Sequence, residues 1–341
     1  MKKLLIIIAV AALTLSACAA DTQVNENPTE APTQIPTAEP TEAAAPEPVE
    51  LSVLVPFGSP ALAMAGLITN ESSQVGEYSL GENITYKTEI VNGADPLVAA
   101  FTSQSHDVIV APTNLGAKFY SMGMPYVYAG AVVYGNLYLA SMGTLDSLSD
   151  LEGKDIVAFS QNSTPDVVLL TVLKYAGVQD VNIRYVGSVS EAQGELLAGT
   201  AYAALLAEPI LSVTKTKAKI NVIDLQSQWA KLTGEQSYPQ AGIYIKADII
   251  ANNPDIVTSF LDMVKASIDE ANNYPAAIAA DLEAMEFGLP AKIIESAIPN
   301  SHLIFVSSED SRDDLEFYYE KIMELNPALI GGELPDDGFY Y

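Results

Sequence analysis

Residues 147–178 have the sequence SLSDLEGKDIVAFSQNSTPDVVLLTVLKYAGV. The short apolar run at 155–159 predicts a strand, and the helical spacing of apolar side chains at 165–176 predicts a helix. A polar turn lies between them and ends at Thr164-Pro165, which is typical of a helix start. Proline fits the first helical turn, and threonine caps the free N–H groups beside it. The stretch therefore predicts a strand, a turn and a helix in succession.

The same alternation extends over most of the chain from Leu51 onward. Strands are predicted at 51–55, 84–91, 107–111, 126–134, 155–159, 181–186, 201–206, 220–224 and 241–246. Helices are predicted near 60–70, 95–103, 113–121, 165–176, 189–198, 209–217 and 226–232, and then at 254–273, 275–287, 290–297 and 308–325, with a short extended piece at 302–306. This order predicts an α/β fold with mostly parallel sheets.

Three further strand-to-helix junctions place an oxygen-bearing side chain before proline: Ser59-Pro60, Asp95-Pro96 and Glu208-Pro209. In open parallel sheets such helix starts lie at the carboxyl ends of the strands, where ligands bind. With Thr164-Pro165, two junctions fall in the first half of the folded region and two in the second. We therefore expect two lobes that face each other across a ligand cleft.

Glutamate is a poor helix cap, so Glu208 is a candidate for a functional role. One interpretation is that its carboxylate is held for a ligand or for a donor on the opposite lobe. The other interpretation is a solvated glutamate that simply precedes a helix proline.

The N-terminus, MKKLLIIIAVAALTLSAC, has two lysines followed by an apolar run from Leu4 to Ala17 and then Cys18, the sole cysteine in the sequence. This run is too short to span a membrane and fits the core of a signal peptide, predicted at 1–17. The ending Leu15-Ser16-Ala17-Cys18 resembles the bacterial lipobox. That resemblance implies cleavage before Cys18 and a lipid on its sulfur, diacylglycerol with palmitate in the anchor. The alternative is an ordinary signal peptide with an incidental cysteine.

Residues 19–50 are rich in proline and acidic residues, have no basic residue and carry almost no large apolar side chain. Such a composition cannot offset the entropy of ordering, so 18–50 is predicted to be a lipid-anchored, disordered linker. The expected location is the extracytoplasmic face of the cell membrane.

The charge balance argues against a nucleic-acid partner. Asp and Glu outnumber Lys and Arg by 43 to 16, which gives a formal net charge of −27. A surface this acidic repels phosphate backbones.

Four segments resemble the substrate-binding proteins of ABC importers, in the group that binds aliphatic sulfonates, taurine, nitrate and thiamine-related pyrimidines. The segments are 101–132, 147–178, ELLAGTAYAALLAEP at 195–209 and 242–280. Their order and spacing carry the resemblance, which covers about 51–319. Tyr202 departs from the family pattern, where aspartate is common, and so does SQSHD at 103–107.

The resemblance implies a type II periplasmic-binding-protein fold, with one lobe at 51–135 plus 238–341 and the other at 136–237. It implies a monomeric substrate-binding lipoprotein that closes on a small organic molecule and delivers it to a membrane permease, without cofactor or metal. The ligand is expected to resemble either a heterocyclic pyrimidine or a sulfonate.

The candidate ligand contacts lie at the strand ends or near the cleft edges, and most would act through hydrogen bonds. The candidates are Phe57, Ser59, Asn92, Thr113, Asn114, Tyr134, Asn136, Gln161, Asn162, Ser163, Thr164, Glu208 and Tyr238. No Arg or Lys occurs in the loops 58–60, 112–114 and 161–164. Hydroxyl groups and helix N–H groups would therefore have to hold an anion. Phe57, Tyr134 and Tyr238 could stack on a flat ring, although such aromatics are more often ordinary core residues.

Two alternatives remain: an exported enzyme and a sensor lipoprotein that signals to a receptor. Neither His106 nor His302 has the spacing of a metal site, and no nucleophile elbow is present. Gly153-Lys154 is followed by Asp155, which excludes a P-loop. The last residues, GGELPDDGFYY at 331–341, are predicted to form a surface tail.

Overall fold

The computed structural model describes residues 49–82, 84–234 and 237–341. The predicted signal peptide, Cys18 and the linker up to residue 48 lie outside the described residues. Residues 49 and 50, predicted as linker, belong to the first strand, where Val49 pairs with Ile84.

The eleven strands in the described part of the chain are β1 (Val49–Pro56), β2 (Ile84–Val91), β3 (Val108–Pro112), β4 (Tyr126–Tyr134), β5 (Tyr138–Ser141), β6 (Asp155–Phe159), β7 (Asn182–Val186), β8 (Ala203–Leu206), β9 (Asn221–Asp224), β10 (Pro239–Lys246) and β11 (Leu303–Ser307).

The α-helices in the same part are α1 (Ser59–Ala63), α2 (Ala65–Asn70), α3 (Asp95–Ser103), α4 (Thr113–Ser121), α5 (Thr164–Ala176), α6 (Val189–Leu197), α7 (Ile210–Lys217), α8 (Leu225–Thr233), α9 (Ala247–Asn252), α10 (Pro254–Asn273), α11 (Pro275–Ala284), α12 (Ala291–Ala297) and α13 (Arg312–Leu325).

The strands form two sheets, and each sheet takes its strands from a different part of the chain. Sheet A has the order β11-β4-β10-β3-β1-β2, and sheet B has the order β7-β6-β8-β5-β9. The strands of sheet B all lie between Tyr138 and Asp224, whereas those of sheet A precede and follow that segment.

Both sheets are mixed, whereas the sequence predicts mostly parallel ones. Strands β1, β2 and β3 pair in parallel, as do β6, β7 and β8. Strands β4, β10 and β11 pair antiparallel in sheet A, and β5 pairs antiparallel with both its neighbours in sheet B. The antiparallel strands β4, β5 and β10 adjoin the two passages between the sheets.

Helices cover both faces of each sheet, as expected for the α/β class. On sheet A, Leu54 and Ile109 face α3 and α4, whereas Val53 and Val110 face α1, α2 and α10. On sheet B, α5 and α8 pack on one face and α6 and α7 on the other. Fully burying one Leu or Phe side chain contributes ~1.5–3 kcal/mol, so these apolar layers hold the architecture together.

Strand β5 is not predicted from the sequence, because its side chains are buried on both faces. Tyr138–Ser141 follows β4 after three residues and shows no alternation of apolar and polar side chains, the signal that marks a half-buried strand. The predicted helix at 60–70 is divided at Met64 into α1 and α2.

The C-terminal segment is packed into the protein, so the prediction of a surface tail is wrong. Phe339 is fully buried, and its ring stacks on Tyr128 at 5.7 Å with planes 9° apart. The Tyr341 N–H donates to the carbonyl of Tyr128 at 3.0 Å, which fastens the chain end to β4. The segment begins with two glycines, which are typical of loops, so its packing could not be predicted from the sequence.

Candidate functional site

A cavity lies between the carboxyl ends of strands from both sheets. It has an empty volume of about 960 Å³, including its opening to solvent. Strands β1 and β2 of sheet A end at this cavity, and β6, β7 and β8 of sheet B end on its other side. Ligands of α/β folds bind at such strand ends.

The residues that line the cavity are Pro56, Phe57, Gly58, Ser59, Pro60, Asn92, Gly93, Ala94, Leu97, Pro112, Asn136, Phe159, Ser160, Ser163, Thr164, Pro165, Gly187, Ser188, Val189, Ser190, Ala207, Glu208, Pro209, Ile210, Gln240 and Ala241.

Helix starts form much of this lining. The first turns of α5, α6 and α7 reach the cavity from sheet B, and α3 begins at it from sheet A. The first N–H groups of a helix have no partner within the helix and carry the positive end of its dipole. The cavity therefore offers hydrogen-bond donors without a cationic side chain, because Glu208 is its sole ionisable side chain among the described residues.

A buried hydrogen-bond network connects the two sides of the cavity. The side-chain nitrogen of Asn136 donates to the Ser59 hydroxyl at 2.6 Å, and its oxygen accepts from the Glu208 N–H at 2.9 Å. The Ser59 hydroxyl lies 3.5 Å from the Glu208 carbonyl oxygen, to which it donates. Because Ser59 begins α1 and Glu208 follows β8, Asn136 joins elements of sheet A to elements of sheet B.

The carboxylate of Glu208 caps helix α7. One oxygen accepts from the Ser212 N–H at 2.9 Å and the other accepts from the Ser212 hydroxyl at 3.0 Å. Burial raises the pKa of this carboxyl above its usual value, and the hydrogen bonds from Ser212 oppose the rise only in part. The interpretation of Glu208 as a solvated glutamate is wrong, because the residue is buried. Its carboxylate bonds to its own helix, and the contacts with Asn136 and Ser59 are made by its backbone instead.

Seven of the predicted contacts line the cavity: Phe57, Ser59, Asn92, Asn136, Ser163, Thr164 and Glu208. Six do not: Thr113, Asn114, Tyr134, Gln161, Asn162 and Tyr238. Gln161 and Asn162 lie on the exposed outer side of the turn before α5.

Thr113 and Asn114 lie beneath the cavity, in contact with other parts of the protein. The Thr113 hydroxyl donates to the Pro239 carbonyl at 2.7 Å. The Asn114 oxygen accepts from the Thr164 hydroxyl at 3.1 Å, and its nitrogen donates to the Asn162 carbonyl at 3.2 Å. These side chains satisfy buried backbone and side-chain groups where α4 meets α5, which accounts for their polar character.

The two tyrosines predicted to stack on a ligand are core residues. Tyr238 is fully buried, with its ring 5.0 Å from that of Trp229. Tyr134 is half-buried within the aromatic layer beside Tyr128, away from the cavity. Of the three predicted aromatics, Phe57 alone reaches the lining, where its other face stacks on Phe287 at 5.1 Å.

The sequence does not reveal residues 187–190 at the start of α6, Phe159 or Gln240 as lining residues. Ser188 caps α6, but the junction has no proline, which is the signal that marks the other helix starts. Gln240 has a buried side-chain oxygen without a hydrogen-bond partner among the described residues. It precedes the predicted strand 241–246 and belongs to the observed strand β10, and nothing in the sequence distinguishes it.

No helix within 49–82, 84–234 and 237–341 combines the length and hydropathy required to cross a bilayer.

The folded region resembles several solved structures. An ABC transporter structure from Parabacteroides distasonis is 23% identical, with a TM-score of 0.71, and the match covers 87% of this chain and 99% of that one. The alkanesulfonate-binding protein SsuA from Xanthomonas axonopodis pv. citri is 17% identical, with a TM-score of 0.65 and coverage of 86% and 96%. The periplasmic aliphatic sulphonate binding protein SsuA from Escherichia coli is 17% identical, with a TM-score of 0.66 and coverage of 85% and 93%.

At these identities the likeness shows the fold, which is that of periplasmic binding proteins. The predicted α/β fold of this type is therefore confirmed. No curated protein sequence matches the chain. The family model described as NMT1/THI5 like matches residues 90–278, more than half of the sequence. The chain belongs to the NMT1/THI5-like family.

Proposed function

We propose that this protein is the substrate-binding lipoprotein of an ABC importer, which captures a small organic molecule and delivers it to a membrane permease. The observation that carries the proposal is the cavity between the strand ends of the two sheets, lined from both sides by helix starts and hydroxyl groups. The family and the fold support it, since the solved proteins of this fold include an ABC transporter structure and sulfonate-binding proteins.

The two predicted lobes, 51–135 with 238–341 and 136–237, would close on the ligand by hinge rotation. The division of the strands supports this motion, because sheet B is built from one continuous segment and the chain passes between the sheets only twice within the described residues. The network of Ser59, Asn136 and Glu208 would then lie at the base of the closing cleft.

The lining favours a ligand with little or no net charge, or with one group that accepts many hydrogen bonds. No basic side chain faces the cavity in the described structure, so an anion would depend on helix N–H groups and on hydroxyls such as those of Ser160 and Ser163. Phe57 and Phe159 offer apolar surface to a flat ring. A pyrimidine-like heterocycle and a sulfonate with an organic tail both fit this chemistry.

In the same proposal, Cys18 carries the lipid and the proline-rich linker holds a monomeric binding unit outside the cell, near its permease. Such a linker would leave the folded part free to reach a membrane partner. An anchor on the extracytoplasmic face would thus keep the captured ligand close to the importer.

Native mass spectrometry of the full chain, released from detergent, tests the binding function. We expect a small molecule to co-purify and, once identified, to raise the melting temperature and be recovered unchanged after incubation. Recovery of a chemically converted molecule would contradict the proposal and indicate an enzyme. A stable complex in which the ligand is bound outside the cavity would contradict the site.

A further inference from the structure

The chain passes between the sheets in two segments, and any movement of one sheet relative to the other must bend both. The first segment, 135–137, joins β4 to β5. The second leads from α8 to β10, and its described residues are 234, 237 and 238. We refer to these as the first and second crossing segments.

One side-chain oxygen contacts both crossing segments. The side-chain oxygen of Gln226 accepts from the Leu137 N–H at 2.7 Å and from the Tyr238 hydroxyl at 2.9 Å. Gln226 lies in the first turn of α8, and the neighbouring Leu225 N–H donates to the Leu137 carbonyl at 3.0 Å. Both backbone groups of Leu137 are therefore held by the start of α8.

Gln226 forms its hydrogen bonds to the crossing segments through its side-chain oxygen. It is buried, and its side-chain nitrogen has no hydrogen-bond partner among the described residues. A Cβ on Gly135 would lie 2.1 Å from the Cγ of Gln226, so the side chain passes directly over the first crossing segment. Gly135 and Asn136 both have positive φ, at 99° and 80°.

We propose that Gln226 is the positioning residue that fixes both crossing segments to α8 and thereby sets the hinge of lobe closure. This inference rests on the proposed binding function, which requires the lobes to move. Because Leu137 and Tyr238 are tied to α8, they move with sheet B. The bending is then confined to Gly135-Asn136 and to the Tyr238-Pro239 junction at the start of β10. Glycine at the first of these sites tolerates a wide range of backbone angles.

Spin-label distance measurements without ligand test the hinge. The full chain carries Cys18→Ser and two exposed labelling sites, Ala99→Cys on α3 and Ala198→Cys after α6, on opposite sides of the cavity. Gln226→Met keeps the side-chain length but removes the oxygen. We expect it to broaden the distance distribution and shift it to longer distances.

Gln193→Met is the matched control. Gln193 is 6% exposed and Gln226 is 5% exposed. The Gln193 side chain donates to the Thr214 hydroxyl and the Ile210 carbonyl, both on the same side of sheet B. We expect this variant to lose stability while its distance distribution stays that of the parent protein. Equal distributions for both methionine variants and the parent would overturn the proposal.

Tyr238→Phe gives a second test if Gln226→Met does not fold. It removes one hydroxyl and leaves the hydrogen bond from Leu137 in place, so we expect a smaller broadening. Hydrogen exchange adds a local readout: the Leu137 amide should exchange roughly tenfold faster in Gln226→Met and remain protected in Gln193→Met. Unchanged exchange at Leu137 would contradict the role of Gln226. These measurements need no ligand. They can therefore be interpreted even if the mass spectrometry experiment finds no bound molecule.

Discussion

Asn136 has an unusual backbone conformation and also takes part in the hydrogen-bond network of the cavity. Its φ of 80° lies in the left-handed region, which asparagine tolerates better than most residues. Both polar atoms of its side chain are used, one by Ser59 and one by Glu208. An asparagine is therefore required for two independent reasons, the turn of the backbone and the bridge across the cavity.

Two substitutions distinguish the contribution of the backbone conformation from that of the side-chain hydrogen bonds. Asn136→Gly loses both hydrogen bonds but relaxes the backbone, whereas Asn136→Ala loses the bonds and keeps a strained conformation. We expect both to destabilise the protein, with alanine worse by about 1 kcal/mol, the usual cost of a left-handed residue with a Cβ. Urea unfolding of the two variants measures the difference. Equal midpoints would show that the backbone at Asn136 carries no strain.

Glu208 gives a prediction that depends on pH. Because burial raises the pKa of this carboxyl in the folded state, the folded protein disfavours the charged form. Its contribution to stability is most favourable below the pKa of the unfolded chain and is lost as the pH rises through the raised folded value. In Glu208→Gln this loss is absent. The stability of the variant relative to the parent should therefore increase as the pH rises from the unfolded pKa of Glu208 through its raised folded pKa.

Thermal unfolding between pH 4 and 8 measures this difference. Glu333→Gln, at an exposed carboxylate, provides the control. A relative stability of Glu208→Gln that falls with rising pH would contradict the assignment of a raised pKa.

Among the elements, β1, β3 and β10 are joined by one carboxylate. Asp107, just before β3, accepts from the Ser52 N–H at 3.0 Å and from the Ser52 hydroxyl at 2.7 Å. It also pairs with the Lys246 ammonium at 3.0 Å. Burial alone would raise the pKa of Asp107, but Ser52 and Lys246 together lower it below its usual value.

Asp107→Asn should destabilise the protein by about 2 kcal/mol at neutral pH, because it weakens charge-assisted hydrogen bonds. A lowered folded pKa contributes stability that is present above the unfolded value and is lost as the pH falls through the folded value. The difference from the parent should therefore shrink in acid. Denaturation at pH 7 and pH 3 checks this, with the exposed Asp281→Asn as control. A stability difference between Asp107→Asn and the parent that is larger at pH 3 than at pH 7 would contradict this prediction.

The C-terminal segment is an element in its own right, although it contains no long helix or strand. Phe339 is buried between Tyr120 and Tyr128, and Arg312 binds Asp337 at 2.7 Å above it. Phe339→Ala should cost about 3–5 kcal/mol, as for other large aromatics removed from a core. Tyr341→Ala, at a half-exposed ring, should cost far less. Guanidinium unfolding ranks the two, and similar costs would mean that the segment does not contribute to the core.

The element order was predictable because Xaa-Pro junctions mark helix starts that their local chemistry alone specifies. Pro60, Pro96 and Pro165 all lie in the first turn of a helix, as predicted. The prediction that the preceding side chain caps the helix is wrong, because Ser59, Asp95 and Thr164 are already helical residues. The direction of a side chain around such a start depends on tertiary packing. Ser163 therefore lies in the cavity lining just before α5, while Asn114, the second residue of α4, lies outside the lining and accepts from the Thr164 hydroxyl.

In the protein as a whole, two sheets present the ends of their strands to one shared cavity. The sequence has a net charge of −27, but the one ionisable side chain in the cavity lining of the described structure is Glu208, whose carboxylate caps α7. In the proposed function, recognition by hydrogen bonds gives specificity, because a mismatched ligand leaves buried groups unpaired. The buried network at the cavity includes Asn136 of the first crossing segment.

A crystal structure of the full-length protein with its co-purified ligand would locate the ligand. We predict ligand density in contact with Ser59 or Phe57 on the sheet A side and with Ser163 or Thr164 on the sheet B side. Ligand density confined to one side, or located away from the strand ends, would contradict it.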